Sequence, residues 1–236
     1  MCHSFMKAKT AAKSIAMSPR VIFFHGLESG CGGRKHRFLQ GHFDDVICVD
    51  MQVSLLGLRK QNGILRNVLQ NALRTAPWNL YRWSVQCSLK GCLELQQAEL
   101  DATEPSQGVL VGSSWGGAVA ALAIAQGLWK GPAVLIAPAY KLSLGNTGYD
   151  PAFNPSTVYA AIAEAVASDR GRILIVHGTK DETVPVADSQ EMAQATGLEL
   201  VEVPDGDHGM KCLLEGERPQ LISLIKRVSQ VQKSSL

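Results

Sequence analysis

Short apolar runs recur along the chain, and polar, glycine-rich stretches separate them. Six runs rich in β-branched residues predict buried strands near 21–25, 46–50, 108–112, 133–137, 173–177 and 199–203. Apolar positions at helical spacing predict helices near 33–42, 64–75, 84–103, 116–128, 156–168, 185–196 and 217–232. Strands that are apolar on both faces and alternate with helices indicate an α/β fold, with a mostly parallel sheet of about six strands covered by helices on both faces.

A glycine-rich pentapeptide follows the third predicted strand. It reads Gly112-Ser113-Ser114-Trp115-Gly116 and leads directly into an alanine-rich predicted helix. A G-x-S-x-G sequence between a strand and a helix is typical of a nucleophile elbow, in which the glycines let strand and helix approach closely and the serine hydroxyl projects above the sheet. Ser114 is therefore the candidate nucleophile.

The loops after the fifth and sixth predicted strands contain a carboxylate and an imidazole. Asp181 lies in the loop 177–185, and His208 lies in the loop 205–209. A serine hydroxyl needs an imidazole to accept its proton, and the imidazole needs a carboxylate to fix its tautomer. Open α/β sheets gather reactive groups at the carboxyl ends of their strands, so we expect Ser114, Asp181 and His208 to form a catalytic triad.

Two further acids compete with Asp181 for the third position. Asp205 and Asp207 adjoin His208 in the same loop, where a side chain reaches the far nitrogen of the ring only awkwardly. The pattern favours Asp181 for this reason.

The other histidines are expected to have no catalytic role. His25 and His177 each precede a glycine at the end of a predicted strand, and we interpret both as structural. His36 and His42 fall in the first predicted helix and are expected on its exposed surface.

The first predicted strand leads into a fourth motif, His25-Gly26-Leu27. We call 177–185 the acid loop and 205–209 the histidine loop. Residues 20–231 resemble α/β-hydrolases of the serine esterase or thioesterase kind. The resemblance is carried by this motif, the elbow, the acid loop, the histidine loop and the chain order Ser, Asp, His. The resemblance implies cleavage of a carboxylic ester or thioester through an acyl-enzyme intermediate. It also implies that the backbone N–H groups of Leu27 and Trp115 form the oxyanion hole.

Two other functions share this pattern. Some proteins with the same fold bind ligands or serve as scaffolds without catalysis, but these usually lose a member of the triad, and none is missing here. A serine peptidase carries the same motifs, usually together with an extra domain or a large cap over the site. The ester or thioester hydrolase therefore remains the favoured interpretation.

The sequence gives no indication of a cofactor, a metal or a nucleic acid. It contains neither the G-x-x-x-x-G-K-[ST] nor the G-x-G-x-x-G phosphate-binding pattern, and no H-E-x-x-H or paired-cysteine spacing that would hold zinc. The net charge is only +2, without a basic stripe interleaved with aromatic residues. We expect a small-molecule ester or thioester as the partner, with the oligomeric state left open.

Two insertions could shape specificity. In the first, 53–83, Arg59 and Lys60 are candidates for binding a substrate carboxylate or phosphate, although solvent-exposed surface is the favoured interpretation. The second, 138–155, stands where related proteins often have a lid and is too short for a large helical cap. We therefore expect a small or minimal lid and an open cleft that accepts an acyl group.

Length and composition predict one globular domain over 20–236. The chain has 236 residues, 46% of them hydrophobic, which suffices for a sizeable core, and no apolar run approaches the ~18 residues that would span a bilayer. Residues 1–19 contain three lysines and no acid, a composition typical of a flexible tail or a targeting segment. Six cysteines without C-x-x-C spacing indicate free thiols. A cytoplasmic location is expected, with an organelle as the alternative.

Overall fold

A computed structural model describes most of the chain. The described residues are 18–72, 77–146, 150–169, 172–216 and 220–231. The predicted N-terminal tail therefore lies outside the described residues, except for positions 18 and 19.

Six strands form a single sheet in which every neighbouring pair is parallel. They are β1 (Arg20–Phe24), β2 (Val46–Ile47), β3 (Gly108–Ser113), β4 (Ala133–Ile136), β5 (Ile173–Gly178) and β6 (Glu199–Val203). Their order across the sheet is β2-β1-β3-β4-β5-β6. The predicted parallel sheet is confirmed, and only β2 is clearly shorter than its predicted range.

Helices connect the strands and cover both faces of the sheet. The described α-helices are α1 (Arg34–Gln40), α2 (Ile64–Asn71), α3 (Pro77–Ala102), α4 (Trp115–Ala125), α5 (Tyr140–Leu144), α6 (Pro155–Ala165), α7 (Val186–Thr196) and α8 (Gln220–Val231). Within the described part of the chain no helix is both long and apolar enough to cross a membrane.

Alternate residues of the central strands pack into two separate cores. In β1, Ile22 and Phe24 point to the side covered by α3, α4 and α6, whereas Val21 and Phe23 point to the side covered by α1 and α8. All four side chains are buried. Successive side chains of a strand leave opposite faces, so a strand between two helical layers is apolar throughout.

Two predicted boundaries differ from the structure. The predicted helix 84–103 begins seven residues earlier, at Pro77, so Tyr81 and Trp83 lie on α3 rather than in an irregular insertion. Proline fits the first turn of a helix, where its missing N–H costs no hydrogen bond. In the described part of 138–155 the chain forms α5 and a 3₁₀ turn at Pro151–Phe153, and the Tyr140 hydroxyl donates to the Phe153 carbonyl at 2.9 Å. Residues 147–149 of this segment lie outside the described residues.

Candidate active site

Ser114 occupies a strained backbone conformation between β3 and α4. Its φ is 57° and its ψ is −116°, a region that residues with a side chain rarely adopt. Its N–H donates to the Ile136 carbonyl at 2.8 Å, and its own carbonyl accepts from the N–H groups of Ala118 and Ala139 at 3.0 and 3.1 Å. Contacts with β4, α4 and the loop before α5 thus hold the serine in this conformation.

Glycines on both sides of Ser114 allow the strand and the helix to cross closely. A Cβ on Gly116 would lie 2.0 Å from the carbonyl oxygen of Phe24, and a Cβ on Gly112 would lie 2.5 Å from that of Gly116. Both distances are shorter than any real contact, so neither position accepts a larger residue without movement of the backbone. The G-x-S-x-G pattern has this steric origin here.

The Ser114 hydroxyl, the His208 ring and the Asp181 carboxylate form one hydrogen-bonded chain. Ser114 Oγ lies 3.0 Å from His208 Nε2, and His208 Nδ1 lies 2.7 Å from Asp181 Oδ2. Because the carboxylate accepts from Nδ1–H, the lone pair of Nε2 faces the hydroxyl. These contacts join residues that are 94 and 27 positions apart in the chain.

The Asp181 carboxylate is buried and held in its ionised form. Its Oδ1 accepts from the N–H groups of Thr183 and Val184, both at 2.8 Å. Burial alone would raise the pKa of Asp181, but the Val184 amide, the His208 ring and the Thr183 amide outweigh burial and hold the pKa below its usual value. The buried His177 supports the same loop, because its Nε2–H donates to the Val184 carbonyl at 2.9 Å. His177 Nε2 also lies 3.3 Å from Asp181 Oδ2, and the structural role that the sequence predicts for His177 stays a prediction.

Direct contacts hold the acid loop and the histidine loop together. Lys180 N–H donates to the Gly206 carbonyl at 3.0 Å, and Lys180 Nζ pairs with Asp205 at 2.7 Å. Asp207 instead accepts from the Met210 N–H at 2.7 Å. The carboxylates of Asp205 and Asp207 are thus engaged elsewhere, and Asp181 is the acid that contacts the His208 ring.

The His25-Gly26-Leu27 loop lies against the elbow. A Cβ on Gly26 would lie 3.6 Å from the Cβ of Ser114. The Gly26 carbonyl accepts from His25 Nδ1–H at 2.8 Å and from the N–H and hydroxyl of Ser29, both at 3.3 Å. Because a peptide unit is planar and trans, fixing this carbonyl also fixes the opposite direction of the Leu27 N–H.

Two backbone donors beside Ser114 have no acceptor among the described residues. One is the Leu27 N–H, and the other is the Trp115 N–H at the first position of α4. The first N–H groups of a helix have no partner within the helix, so they are free to bind an external oxygen. The Trp115 side chain is itself fixed, because its Nε1–H donates to Cys92 Sγ at 3.4 Å.

His25 and the acids near it fix loops. The Met51 N–H donates to the buried His25 Nε2 at 2.9 Å, which leaves Nδ1–H to donate to the Gly26 carbonyl. Asp50 accepts from the Gln52 N–H at 2.9 Å and from Lys60 Nζ at 2.9 Å. His25 thus joins the loops after β1 and β2, which fits the structural role that the sequence predicts.

A cavity of about 810 Å³ opens above the elbow, and Ser114 and His208 line it. Much of its wall is apolar, with Leu27 and Leu55 from the loops after β1 and β2, Tyr81 from α3 and Leu142 from α5. Volumes of a few hundred to a thousand Å³ are typical of small-molecule sites. The residues with unpaired donors therefore face a space large enough for a substrate.

The cations of this cavity are not Arg59 and Lys60, for which the sequence favours solvent-exposed surface over substrate binding. Lys60 pairs with Asp50, and neither Lys60 nor Arg59 is among the residues lining the cavity. The lining instead includes Arg34, Lys35 and Lys211. Little in the sequence points to these three cations: Lys211 stands three positions after His208, and Arg34 and Lys35 follow a pair of glycines.

The expected exposure of His36 is wrong, whereas His42 is exposed just beyond the end of α1. His36 is only 8% exposed and lines the cavity, and its ring stacks against that of Phe23 with a centroid distance of 6.2 Å. Helix α1 packs this face against the sheet, which an isolated polar residue in the sequence does not reveal. Among the described residues no group of three or more histidine, cysteine, aspartate or glutamate side chains is arranged to hold a metal.

Comparisons with known proteins identify the fold. No protein-family model matches the chain, and no curated protein matches its sequence. Similar solved structures include a protein from Xanthomonas campestris pv. campestris assigned to the alpha/beta hydrolase superfamily, with 20% identity, a TM-score of 0.54 and coverage of 92% of this chain and 99% of that one.

Two further solved structures resemble the chain at similar levels. Est1E from Butyrivibrio proteoclasticus has 17% identity and a TM-score of 0.54, with coverage of 92% and 89%. A predicted CIB-like hydrolase from Thermoplasma acidophilum has 19% identity and a TM-score of 0.52, with coverage of 93% and 89%. Similarity at this level of identity concerns the fold alone.

Proposed function

We propose that this chain, which has the α/β-hydrolase fold, is a serine hydrolase that cleaves a carboxylic ester or thioester through an acyl-enzyme intermediate. The observation that supports this most is the continuous contact from Ser114 Oγ through His208 to Asp181, with distances of 3.0 and 2.7 Å, at the floor of an open cavity. A hydroxyl in contact with an oriented imidazole is the requirement for nucleophilic attack at neutral pH.

In the first half of the reaction, Ser114 Oγ attacks the carbonyl carbon while its proton moves to His208 Nε2. The Asp181 carboxylate keeps the ring in the required tautomer and stabilises its positive charge. The carbonyl oxygen becomes negative and accepts from the N–H groups of Leu27 and Trp115. The tetrahedral intermediate then expels the alcohol or thiol, which takes the proton from His208.

In the second half, water replaces the leaving group. His208 removes a proton from the water, which attacks the acyl carbon of the Ser114 ester. The same two N–H groups bind the oxyanion again, and collapse of the intermediate releases the carboxylic acid and returns the proton to Ser114. Apart from the substrate and water, these steps use only groups of the chain itself.

The walls of the cavity favour an acyl substrate. Leu27, Leu55 and Leu142 offer apolar surface near the candidate nucleophile, and apolar contact is what an acyl chain gains on leaving water.

Backbone donors at the position of the oxyanion contribute strongly in such sites, and the loss of one typically costs roughly 100- to 1,000-fold in rate.

Covalent labelling with a fluorophosphonate probe, followed by intact-mass measurement, tests the proposal. We expect one adduct on the wild type, and none on Ser114→Ala or His208→Ala. We also expect kcat for p-nitrophenyl butyrate to fall by about 10⁴-fold or more in each variant, with the double variant scarcely worse, because the two residues act as a unit.

Ser113→Ala is the matched control. It removes the neighbouring serine hydroxyl at the end of β3, and it is expected to label like the wild type. A folded wild type that resists labelling would overturn the proposal and favour a ligand-binding role. Labelling without ester turnover, but with cleavage of peptide substrates, would favour a serine peptidase.

A further inference from the structure

Basic residues from two separate elements are among those that line the cavity. Arg34, Lys35 and His36 lie in the first turn of α1, and Lys211 lies in the 3₁₀ turn after the histidine loop. We refer to these four residues together as the basic wall. Among the charged side chains lining the cavity in the described part of the chain, three are cations and one is a carboxylate. The wall borders the same space as Ser114 and His208.

The cations of the wall have no ion-pair partner among the described residues. This is most unusual for Lys35, which is half-buried while Arg34 and Lys211 are exposed. Burial lowers the pKa of Lys35, and Asp207 and Asp181 only partly oppose this effect. Withdrawing a cation from water without pairing it is costly, so a bound anion would stabilise Lys35.

His36 contributes an independent observation. Its Nδ1 accepts from the Gly32 N–H at 2.9 Å, so the proton of the neutral ring is on Nε2. Burial lowers the pKa of His36, which keeps the ring neutral. The buried Nε2–H has no acceptor among the described residues. A buried donor without an acceptor is rare, and the residue that carries it is one of those that line the cavity.

The nearby acids form no ion pair with the wall, because the hydrogen bonds of each hold it elsewhere, and the charges of Asp207 and Asp181 reach Lys35 only in part. Glu28 accepts from the Leu55 N–H at 2.7 Å and from the Ser54 hydroxyl at 3.0 Å. Asp207 accepts from the Met210 N–H, and Asp181 is bound to His208. The remaining cavity walls near the elbow are largely apolar, so a charged group placed there would lose its hydration without compensation.

We propose that the basic wall binds an anionic group of the substrate, away from the reacting carbonyl. The preferred substrate is then an ester or thioester that carries a carboxylate or phosphate group within reach of Lys35. This inference rests on the proposed function and narrows its substrate class. The anionic group belongs either to the acyl part or to the leaving group, and both present the same charged oxygens to the wall.

Two substrate pairs separate these sources. For the acyl side, mono-p-nitrophenyl glutarate is compared with the neutral p-nitrophenyl hexanoate. For the leaving-group side, butyryl-coenzyme A is compared with butyryl-N-acetylcysteamine, which lacks phosphates. We expect the wild type to prefer the anionic member of one pair, as measured by the ratio of the two kcat/KM values.

Lys35→Met retains the aliphatic stem and removes the charge, and it is expected to lower that ratio by about tenfold or more. Arg37→Gln is the matched control. It removes an exposed charge from the same helix at a position that does not line the cavity, and it is expected to leave the ratio unchanged. Thermal melting of both variants verifies that they fold.

Binding to Ser114→Ala tests the subsite independently of turnover. Calorimetric titration with mono-p-nitrophenyl glutarate and with butyryl-coenzyme A is repeated on Ser114→Ala/Lys35→Met, and the favoured ligand is expected to bind at least about tenfold more weakly to the double variant. Equal binding to both proteins, or an unchanged ratio in Lys35→Met, would overturn the inference. Failure of the proposed function appears separately, as a wild type without labelling or turnover.

Discussion

Asp181 combines the two electrostatic demands that a triad makes on its acid. The side chain must be dry enough to bind the imidazole tightly, yet it must remain ionised. Two backbone N–H groups at 2.8 Å satisfy one oxygen and leave the other for His208. The loop that carries the carboxylate therefore also provides most of its stabilisation.

The ionised Asp181 makes the free energy of unfolding depend on pH at acidic pH values. The pKa of Asp181 is lower in the folded chain than its unfolded value of about 3.9. Its contribution is thus fully present above about pH 4 and is lost as pH falls through the lower folded value. We expect the free energy of unfolding of wild type to exceed that of Asp181→Asn most at pH 6–7, with the gap shrinking below pH 4. Urea unfolding across this range measures it, and a gap that widens in acid would contradict the assignment.

Packing of α4 against β1 and β3 creates the elbow. The helix is buried almost along its whole length, and its first turn consists of residues that permit contact with the ends of both strands. At Gly116 the carbonyl oxygen of Phe24 occupies the space that a side chain would need. The strained conformation of Ser114 follows from this close crossing.

Gly116→Ala is expected to prevent this crossing. Its Cβ would lie 2.0 Å from a backbone oxygen that cannot rotate away, so we expect a loss of about 3 kcal/mol or more in the free energy of unfolding, together with loss of ester turnover. Gly41→Ala serves as the control. It has a φ of −76° and its nearest Cβ contact would be 3.5 Å, so a change below about 1 kcal/mol is expected. A Gly116→Ala protein as stable as Gly41→Ala would contradict the steric argument.

The cavity is an assembly of segments that are distant in the chain. Loops after β1, β2 and β6 meet α1, α3 and α5 around it, and each contributes one or a few side chains. Leu142 on α5 remains 48% exposed, which leaves its apolar surface available to a ligand. We expect this side of the cavity to contact the acyl chain, opposite in character to the basic wall.

Leu142→Ala tests that expectation with substrates of increasing length. Loss of part of a half-exposed leucine should cost about 1 kcal/mol of acyl contact, so kcat/KM for p-nitrophenyl octanoate should fall about fivefold while that for the acetate stays nearly constant. Leu69→Ala is the control, because Leu69 is 59% exposed on α2 and does not line the cavity. Equal losses for both esters would argue against contact with the chain.

Strand positions and the elbow could be predicted because they depend on local properties. Six β-branched runs and the glycines around Ser114 have one physical explanation each, and neighbouring residues suffice to recognise it. The presence of α5 could not be predicted in the same way, because its five residues are too few to show a helical period. The predicted start of α3 is too late because its first two turns are rich in aromatic and polar residues and lack a continuous apolar stripe.

The residue types and the order of Ser114, Asp181 and His208 in the chain identify the candidate chemistry without coordinates, since few other patterns combine an elbow with an acid and a base after successive strands. Where the cations gather depends on how distant loops meet at one edge of the sheet. Lys35 and Lys211 lie 176 positions apart in the chain and line the same cavity only because α1 and the turn after the histidine loop both border it. Such proximity arises from packing, and no periodicity in the chain encodes it.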